Sequence, residues 1–381
     1  MKRGNTVSRQ GMANPHDDSA ISDHPRMYKS DGSRGCRHQV SVSIMSLPAF
    51  TPATTAEEVA AAFADQIQGR NVLITGTSID GVGFEAARVL AKYANLVIIT
   101  GYNSERRVWV HFLRLFLIQG RLKLSEEAIK REVPSANIRR LVLDLSSLAA
   151  VRKAAAEVNA YPEPLHVLIH NAAAGGGGFK LTVDGFESQI ATNHIGPFLF
   201  TKLLAPKLLA ARSGSYTPRV VVVSSVGHGF VPFDLDIVAH PNPDTYTFFG
   251  AYCQSKAANV LFANELSRRA KGKFNVYSLH PGTIHTNLSK KEENKDTFIA
   301  VGLLTPEGLP SSEKTTWKTL GQGAATTVAA AFDTRLDLKS GAYLMDSVEA
   351  NDKIAPHCSD PDTAAKLWTI TEEIVGEKFA L

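Results

Sequence analysis

Short apolar runs alternate with amphipathic stretches from about residue 70 to the end of the chain. The runs are rich in Val, Ile and Leu, and they occupy residues 71–75, 96–100, 141–145, 165–170, 219–225, 274–280 and 341–345. Helical patterns such as FEAARVLAKYA and SLAAVRKAAAEV lie between them. Continuously apolar, β-branched strands separated by helices predict a parallel sheet that helices cover on both faces.

Right-handed crossovers between such strands produce a doubly wound sheet, whose ligands bind at the carboxyl ends of the strands. The predicted fold is therefore α/β, with a single Rossmann-like doubly wound parallel sheet. An additional helix is expected at TPATTAEEVAAAFADQIQG, capped by Thr54 or Thr55 and ended by Gly69. The chain shows no internal repeat and no linker composition after residue 70, so we expect one domain over residues 45–381.

Composition narrows the class of protein. With 44% hydrophobic and 20% charged residues, the chain is neither collagen, nor a coiled coil, nor wholly disordered. Its three cysteines are too few for a disulfide framework and too far apart for a CxxC zinc site. This cysteine usage favours a reducing compartment, and we expect a cytoplasmic protein.

The formal net charge is +4, which raises the question of an anionic partner. Residues 1–44 contribute three of these charges and Arg114 contributes the fourth, so the remainder is formally neutral. The charge therefore gives no indication of nucleic-acid binding. Residues 1–44 are polar, lack the apolar core of a secretory signal and contain four acids, unlike a transit peptide. They are predicted to be a disordered leader, and a natural start at Met45 is favoured.

Residues 107–121, RVWVHFLRLFLIQGR, form an anomalous insertion where a short polar loop is expected. Its apolar part is too short to span a bilayer, which takes about 20 residues. Its apolar residues also keep to no single face, as a membrane-surface helix would require. A retained intron is a further interpretation, because the codons for Val108 and Gln119 are compatible with intron boundaries. Sequencing the spliced message decides it.

The first apolar run leads directly into a glycine-rich loop, TGTSIDGVGFEAARVLA. Gly76 allows a tight turn, whereas Gly81 and Gly83 allow the backbone and the next helix to approach a pyrophosphate. The helix N-terminus then offers unpaired N–H groups and the positive end of its dipole. This order of strand, glycine loop and helix predicts a dinucleotide site.

The end of the second strand selects between NAD and NADP. An acid there binds the ribose 2′-hydroxyl of NAD, but ITGYNSER has no acid before Glu105. It offers instead a set of polar and basic side chains, namely Thr100, Tyr102, Asn103, Ser104 and Arg106. These suit a 2′-phosphate better, so NADP(H) is preferred over NAD(H).

Tyr252 and Lys256 are spaced i, i+4 in a long helical pattern, which places them on one face one turn apart. A phenol has a pKa near 10, and a neighbouring ammonium lowers it. The pair is therefore a candidate general acid and base for a carbonyl or alcohol oxygen. A surface Tyr–Lys pair is the alternative, but Ser224 and Ser225 at the end of a buried strand strengthen the catalytic interpretation.

At this point the chain resembles the short-chain dehydrogenase/reductase family, in its retinol dehydrogenase/WW-domain-oxidoreductase-like branch, from about Thr55 to Leu381. TGTSIDGVG resembles the cofactor loop TGxxxGxG, although it has one residue more between the first two glycines. HNAA resembles the family's NNAG, HPGTIHTNL its nicotinamide loop, and YCQSKAANVLFANEL its catalytic helix. The three tryptophans are scattered, so no tandem WW modules are expected, and no membrane segment is visible.

The resemblance implies an NAD(P)-dependent enzyme that interconverts a carbonyl and an alcohol by hydride transfer. Tyr252 would exchange the proton, Ser225 would bind the substrate oxygen, and Lys256 would lower the tyrosine pKa and hold the nicotinamide ribose. Asn193 would hold a relay water and completes the catalytic set. The residues implied for cofactor binding are Gly76, Ser78, Gly81, Val82, Gly83, Asp144, Asn171, Lys202, Tyr252, Lys256, Ile284 and Thr286.

Other candidates are weaker. His280 and His285 have no carboxylate or cysteine partner nearby in sequence, so no metal site is expected. Residues 288–320 are predicted to form a lid, whose apolar content favours a small hydrophobic aldehyde or ketone. The alternatives are a ketoreductase of secondary metabolism and a catalytically silent nucleotide-sensing or scaffold protein. The sequence leaves the substrate, the physiological direction and homo-oligomerisation open.

Overall fold

The described part of the chain is built around a central sheet whose strands follow the predicted apolar runs. The structure is a computed structural model that describes residues 47–102, 111–287 and 289–381, with the backbone alone for residues 111–119 and for Glu293. The strands are β1 Asn71–Ile74, β2 Leu96–Gly101, β3 Ile138–Val142, β4 Val167–His170, β5 Arg219–Val223, β6 Asn275–His280, β7 Thr283–Ile284, β8 Trp317–Lys318, β9 Tyr343–Met345 and β10 Val348–Glu349.

Within those residues, eight strands form one sheet in the order β10-β9-β6-β5-β4-β1-β2-β3. All neighbours pair in parallel except the edge strand β10, which runs antiparallel to β9. The order reverses between β1 and β4, so the topological switch point lies there. The predicted doubly wound parallel sheet is confirmed, with a short antiparallel edge that the sequence pattern did not indicate.

Helices cover both faces. They are α1 Ala56–Ala62, α2 Ala64–Ile67, α3 Val82–Leu90, α4 His111–Glu132, α5 Leu148–Asn159, α6 Ser188–Ile190, α7 Gly196–Ala210, α8 Asp236–Ala239, α9 Phe248–Ala270, α10 Glu292–Ala300, α11 Leu320–Phe332, α12 Pro356–Ser359 and α13 Pro361–Val375. A π-helical turn, Ala191–Ile195, joins α6 to α7, and a 3-10 turn, Val226–Gly229, follows β5.

The hydrophobic core has two layers because alternate strand residues face opposite sides. Leu73 faces the layer formed with α5, α7, α9 and α13, where Trp368 and Phe198 pack edge to face. Val72 and Ile74 face the layer formed with α1, α3, the C-terminal part of α4, and α11. Residues Leu47–Leu381 cluster into one compact unit.

Local sequence rules account for several boundaries. Thr55, rather than Thr54, caps α1: its side chain accepts a hydrogen bond from the Glu58 amide, while the Glu58 carboxylate accepts one from the Thr55 amide. Gly69 follows α2 with a φ of 75°. The third strand begins earlier than predicted, at Ile138. Arg139 and Arg140 are tolerated there because β3 is an edge strand and each arginine pairs with a glutamate, Glu163 and Glu126 respectively.

The two anomalous segments lie partly or wholly outside the described residues. The predicted leader, residues 1–44, lies outside them, and so do residues 107–110 of the insertion. Residues His111–Glu132 form α4, and the C-terminal part of this helix packs into the core through buried Leu122 and Ile129. In the part of the chain that the structure describes, no helix has the length and hydropathy needed to cross a membrane.

Candidate active site

The glycine loop lies at the carboxyl end of β1 and has no space for side chains at its key positions. Gly76 has a φ of 72°, and a Cβ on Gly83 would lie 2.2 Å from the Asn171 side-chain nitrogen. Asn171 donates hydrogen bonds to the carbonyls of Thr75 (2.9 Å) and Gly76 (3.0 Å). The extra loop residue is accommodated because Asp80 adopts a φ of 63°, a region that Asp enters more readily than most residues.

The start of α3 meets the predicted nicotinamide loop. Gly81 precedes Val82 without a side-chain cap, so the first amides of the helix remain available to an anionic group. Val82 and Ile284 both pack on Gly323 of α11, where a Cβ would lie 2.8 Å from Ile284. The fold thus brings together two segments that are 202 residues apart in the numbering. This cradle fits a dinucleotide.

A cavity of about 210 Å³ opens at the other end of the glycine loop. Its lining residues come from the glycine loop, the end of β2, α4 and the segment after β7; they are Thr77, Ser78, Ile79, Gly101, Tyr102, Arg121, Leu122, Leu124, Ser125 and Asn287. None of these is acidic, and Arg121 supplies a positive charge. Ser125 donates a hydrogen bond to the Thr77 carbonyl (3.0 Å), which fixes α4 against the loop.

Tyr252 and Lys256 lie on α9, one turn apart as predicted. Thr247 caps this helix by accepting a hydrogen bond from the Gly250 amide. Lys256 is 2% exposed, and its Nζ donates to the Val223 carbonyl at the end of β5 (3.1 Å). The Nζ lies 5.6 Å from the centroid of the Tyr252 ring.

Ser225 faces Tyr252 from the end of β5, whereas Ser224 does not. Ser224 is buried and donates to the Lys256 carbonyl (2.7 Å), which ties β5 to α9. A Cβ added to Gly227 would lie 3.4 Å from both the Ser225 hydroxyl and the Tyr252 ring, so these two side chains border the same small space. The Ser225 hydroxyl lies near enough to the Tyr252 phenol to lower its pKa. The sequence preference for Ser225 over Ser224 thus has a geometric basis.

The protonation equilibria of this pair differ from the expectation. Burial raises the pKa of Tyr252, and the Ser225 hydroxyl opposes that rise only in part. Burial lowers the pKa of Lys256 to about 8. The Lys256 ammonium donates to the Val223 carbonyl and not to the phenol, so burial determines the direction of the Tyr252 pKa shift here.

Asn193 lies in the π-helical turn, a backbone irregularity that is frequent at functional sites. Its side chain accepts from the Ala174 amide (2.7 Å) and donates to the Ala174 carbonyl (3.0 Å) and to the Ser255 hydroxyl (2.9 Å). Ser255 in turn donates to the Tyr252 carbonyl (2.8 Å). Ser255 is a site residue that sequence reasoning missed, although it stands inside the YCQSK motif.

Not every predicted residue joins this cluster. The Lys202 ammonium pairs with Glu377, which also binds Arg152, so Lys202 holds α7 to the C-terminal segment. Asp144 accepts hydrogen bonds from Ser146 in the turn after β3.

The two histidines that were weighed as metal ligands are used otherwise. His280 accepts from the Val226 amide (3.3 Å), and His285 contacts the Ser289 hydroxyl (3.0 Å). Over residues 47–102, 111–287 and 289–381, no three His, Cys, Asp or Glu side chains converge as a metal site.

Two aromatic pairs lie at the start of α9, the helix that carries Tyr252. Phe230 and Phe249 stack with their ring centroids 5.9 Å apart, and Phe230 is 62% exposed. Phe248, at the start of α9, packs against Phe298 of α10 at 6.4 Å. The segment that was predicted as a lid therefore contacts the catalytic helix through an aromatic pair.

The same segment returns to the nicotinamide loop. β8 pairs in parallel with β7, matching Trp317 with Thr283 and Lys318 with Ile284. The Trp317 indole N–H donates to the Ser311 carbonyl (2.7 Å), and its ring meets His285 edge to face at 5.9 Å. Residues 289–319 thus contact both the nicotinamide loop, through β8, and the start of α9, through Phe298.

A Rossmann-type sheet with a glycine cradle and a Ser–Tyr–Lys cluster defines the class as a nucleotide-dependent oxidoreductase. The family model described as short chain dehydrogenase matches residues 70–297. The chain belongs to the short-chain dehydrogenase/reductase family, in its retinol dehydrogenase-like branch, and is an NAD(P)-dependent enzyme that acts on CH–OH groups.

Relatives from distant organisms share most of the chain. Short-chain dehydrogenase TIC 32 A, chloroplastic, of Brassica napus is 35% identical over 332 residues, which cover 86% of this chain and 94% of that protein. Retinol dehydrogenase 12 of Homo sapiens is 32% identical over 318 residues, covering 82% and 89%. A solved structure of an uncharacterized protein from Mycobacterium Paratuberculosis has a TM-score of 0.57 and 29% identity, and covers 84% of this chain and 98% of its own.

Proposed function

We propose that this chain is an NADP(H)-dependent oxidoreductase that interconverts an apolar aldehyde or ketone with its alcohol. The observation that carries the proposal is the convergence of Ser225, Tyr252 and Lys256 beside the glycine cradle and the Ile284 loop. When bound, the nicotinamide group supplies or accepts the hydride. The protein orients the carbonyl and exchanges the proton.

The raised pKa of Tyr252 suits carbonyl reduction. At neutral pH the phenol stays protonated, so Tyr252 donates its proton to the developing alkoxide. The Ser225 hydroxyl, which borders the same space, donates a hydrogen bond to that oxygen and stabilises its charge. Lys256, with a pKa of about 8, is charged at neutral pH and stabilises the phenolate that proton transfer leaves behind.

Asn193 and Ser255 keep this arrangement in place. The two side chains join the segment at Ala174, the π-helical turn and the first turn of α9 through successive hydrogen bonds. Because Ser255 binds the Tyr252 carbonyl, the chain of bonds ends on the residue that transfers the proton. A relay that returns a proton to Tyr252 from solvent would pass along the Asn193 and Lys256 side of the site.

The preference for NADP(H) is supported by the charge at the cavity beside the glycine loop. Arg121 lines it together with Ser78 and Tyr102, and none of the described lining residues is acidic. A 2′-phosphate would gain charge-assisted hydrogen bonds from such a group. The ribose 2′-hydroxyl of NAD would lack the carboxylate that usually binds it.

The apolar substrate is supported by the aromatic pairs at the start of α9. Exposed Phe230 stacks on half-buried Phe249, and half-buried Phe298 adds an apolar ring from α10. Exposed aromatic area of this kind costs solvation free energy unless a partner covers it. A hydrophobic substrate beneath residues 289–319 would cover it.

The test is turnover by the full chain with NADPH or NADH and a panel of aliphatic and aromatic aldehydes, ketones and alcohols. We expect NADPH-dependent reduction, fastest with apolar carbonyls. The panel also includes bulky polyketide-like ketones, and fastest reduction of these would favour the ketoreductase alternative. Tight NADPH binding without turnover of any substrate would favour the nucleotide-sensing or scaffold alternative.

A cytoplasmic location is part of the proposal and rests on cysteine usage. Cys253 and Cys358 are free thiols in the buried core, as a reducing compartment allows. A chloroplastic relative makes an organelle the specific alternative. Imaging of the full chain with a C-terminal fluorescent tag distinguishes the two.

A further inference from the structure

His228 lies three residues after Ser225 and is buried in the 3-10 turn that follows β5, with 2% of its surface exposed. Its Nδ1 lies 2.7 Å from the Ser225 carbonyl, and its Nε2 lies 3.1 Å from the Ala355 amide. A backbone N–H can only donate, so Nε2 accepts and the ring proton sits on Nδ1. The imidazole therefore joins the carbonyl of Ser225 to a segment 130 residues away in the numbering.

The backbone of His228 binds the same segment. Its carbonyl accepts from the His357 ring (2.9 Å) and from the Cys358 thiol (3.6 Å). Together with the Ala355 amide, these contacts hold the turn against residues 355–358, which lead into α13. We call residues 355–358 the C-terminal strap.

The His228 ring, at the centre of this contact, is shielded from water. The His228 ring meets buried Tyr343 edge to face at 5.1 Å, and a Cβ on Gly229 would touch Ala355 at 3.4 Å. Burial also lowers the pKa of His228, so the neutral ring with its proton on Nδ1 persists at neutral pH. Hydrogen bonds that water cannot replace hold their geometry most firmly.

The turn also holds the Ser225 side chain. The Gly227 amide donates to the Ser225 hydroxyl oxygen (3.1 Å), and the His228 amide donates to the Ser225 carbonyl (3.1 Å). A change in the turn therefore moves the hydroxyl relative to Tyr252. Misplacing a reacting group by about 1 Å can cost about 100-fold in rate.

We propose that His228 is a positioning residue: its Nδ1–H holds the Ser225 carbonyl and thereby sets the direction of the Ser225 hydroxyl, while the backbone carbonyl of His228 and the ring Nε2 anchor the turn on the C-terminal strap. The proposal rests on the proposed function, in which that hydroxyl binds the substrate oxygen. His228 itself does not contact the reacting atoms. Its effect passes through the Ser225 carbonyl and the shape of the turn.

Two substitutions distinguish the role of the Nδ1 bond from that of the Nε2 bond of His228. In His228→Asn the amide nitrogen can stand where Nδ1 stands and keep the bond to Ser225. In His228→Gln the longer side chain can reach Ala355 but removes the side-chain donor to the Ser225 carbonyl, which keeps only the backbone amide of residue 228 as a donor. His166→Gln is the matched control, because His166 is also a buried histidine that accepts from a backbone amide, that of Asn71 (3.0 Å), at the opposite end of the sheet.

We expect kcat for the best carbonyl in the panel to fall about 30-fold or more in His228→Gln and less than about 3-fold in His228→Asn. The KM for NADPH should change less than 2-fold in both, since neither bond touches the cofactor cradle. Equal loss of kcat in both variants, or a loss that appears equally in the KM for NADPH, would overturn the proposal, because it would indicate general damage to the fold.

Hydrogen–deuterium exchange of residues 225–230 tests the same contact without turnover. We expect faster exchange in His228→Gln than in His228→Asn, with His166→Gln unchanged in this peptide. Unchanged exchange in His228→Gln would refute the positioning role whether or not any substrate is found. A wild-type protein that turns over no substrate, together with the expected exchange pattern in the variants, would refute the proposed function and leave the bond from His228 to Ser225 supported as the one that orders the turn.

Discussion

The two ends of the cofactor cleft are built differently. At the catalytic end, the side chains of Asn193, Ser224 and Lys256 are buried and bonded to backbone groups of other elements. At the end where we propose that the adenosine binds, a cavity opens between the glycine loop and α4, and exposed Arg121 provides its positive charge. The catalytic end is therefore preorganised, whereas the adenosine end relies on a small number of surface groups.

Because of this difference, substitutions at the two ends should differ in the size of their effects. A buried network loses its function when one member is removed, because the remaining polar groups stay unsatisfied in a water-free site. An exposed charge contributes less, because water replaces part of what it provides. We therefore expect changes at the catalytic end to alter turnover strongly, and changes at Arg121 to alter cofactor choice moderately.

The largest effect is expected for Tyr252→Phe, which removes the proton donor and keeps the ring. Turnover with NADPH should fall about 1,000-fold, while the dissociation constant for NADPH, measured by fluorescence titration, stays within 2-fold. Tyr161→Phe is the control, since Tyr161 binds Glu157 on the surface of α5, away from the site. A turnover in Tyr252→Phe close to wild type would remove Tyr252 from the mechanism.

Lys256→Met should separate activity from stability. The pKa of Lys256 in the folded protein, about 8, lies below its usual value of about 10.4. Below pH 8 the lysine is charged in both states and the folded protein bears the full cost of burying that charge. Between pH 8 and about 10.4 the unfolded chain binds the extra proton, so wild-type stability rises with pH and the cost disappears.

We therefore expect Lys256→Met to lose turnover and to gain as much as about 3 kcal/mol in the free energy of unfolding at pH 7, with little gain near pH 10. Urea unfolding at several pH values measures this. Lys153→Met, on the exposed side of α5, is the control and should show no such pH dependence. A Lys256→Met protein that is less stable than wild type at pH 7 would contradict the assigned cost of burial.

The sequence was sufficient for the features that depend on local pattern. The strands, the glycine loop, the cap at Thr55 and the i, i+4 pair Tyr252 and Lys256 all follow from short-range rules. The bonds from Asn193 to Ser255 and from His228 to Ala355 join residues 62 and 127 positions apart. No periodicity encodes such contacts, so the sequence could not show them.

Two further differences have physical causes of the same kind. The third strand begins three residues before the predicted apolar run, because Arg139 and Arg140 continue it at the edge of the sheet, where Glu163 and Glu126 pair with them. Lys202 was expected near the cofactor, but the fold brings Glu377 to it from the C-terminal segment. In both cases the basic side chain pairs with a carboxylate that is distant in the sequence.

Gly83→Ala tests whether the glycine loop binds the cofactor. Its Cβ would stand 2.2 Å from the Asn171 nitrogen and 2.6 Å from the Gly76 carbonyl, so backbone must move at a cost of about 1–3 kcal/mol. We expect NADPH affinity to weaken about 30-fold by calorimetry. Gly214→Ala, where a Cβ meets nothing within 4 Å, should bind NADPH like wild type. An unchanged affinity in Gly83→Ala would place the pyrophosphate elsewhere.

The smallest effect is expected at Arg121. Arg121→Gln should weaken binding of 2′,5′-ADP about 10-fold, in line with the lower range for a hydrogen bond to a charged group, and leave 5′-AMP binding unchanged. Lys123→Gln, two residues along α4 with its side chain 64% exposed, is the matched control. Equal losses for both nucleotides in Arg121→Gln would assign the arginine a general role and remove the support for NADP.

The most direct test of the central claim is the fate of the hydride. The full chain is incubated with NADPH deuterated at nicotinamide carbon 4, once on each face, and with the best apolar carbonyl from the panel, and the alcohol is analysed by mass spectrometry. The proposed function predicts one deuterium on the carbinol carbon from one of the two labelled faces only. An alcohol without deuterium from either cofactor, or no alcohol beside tightly bound NADPH, would contradict it.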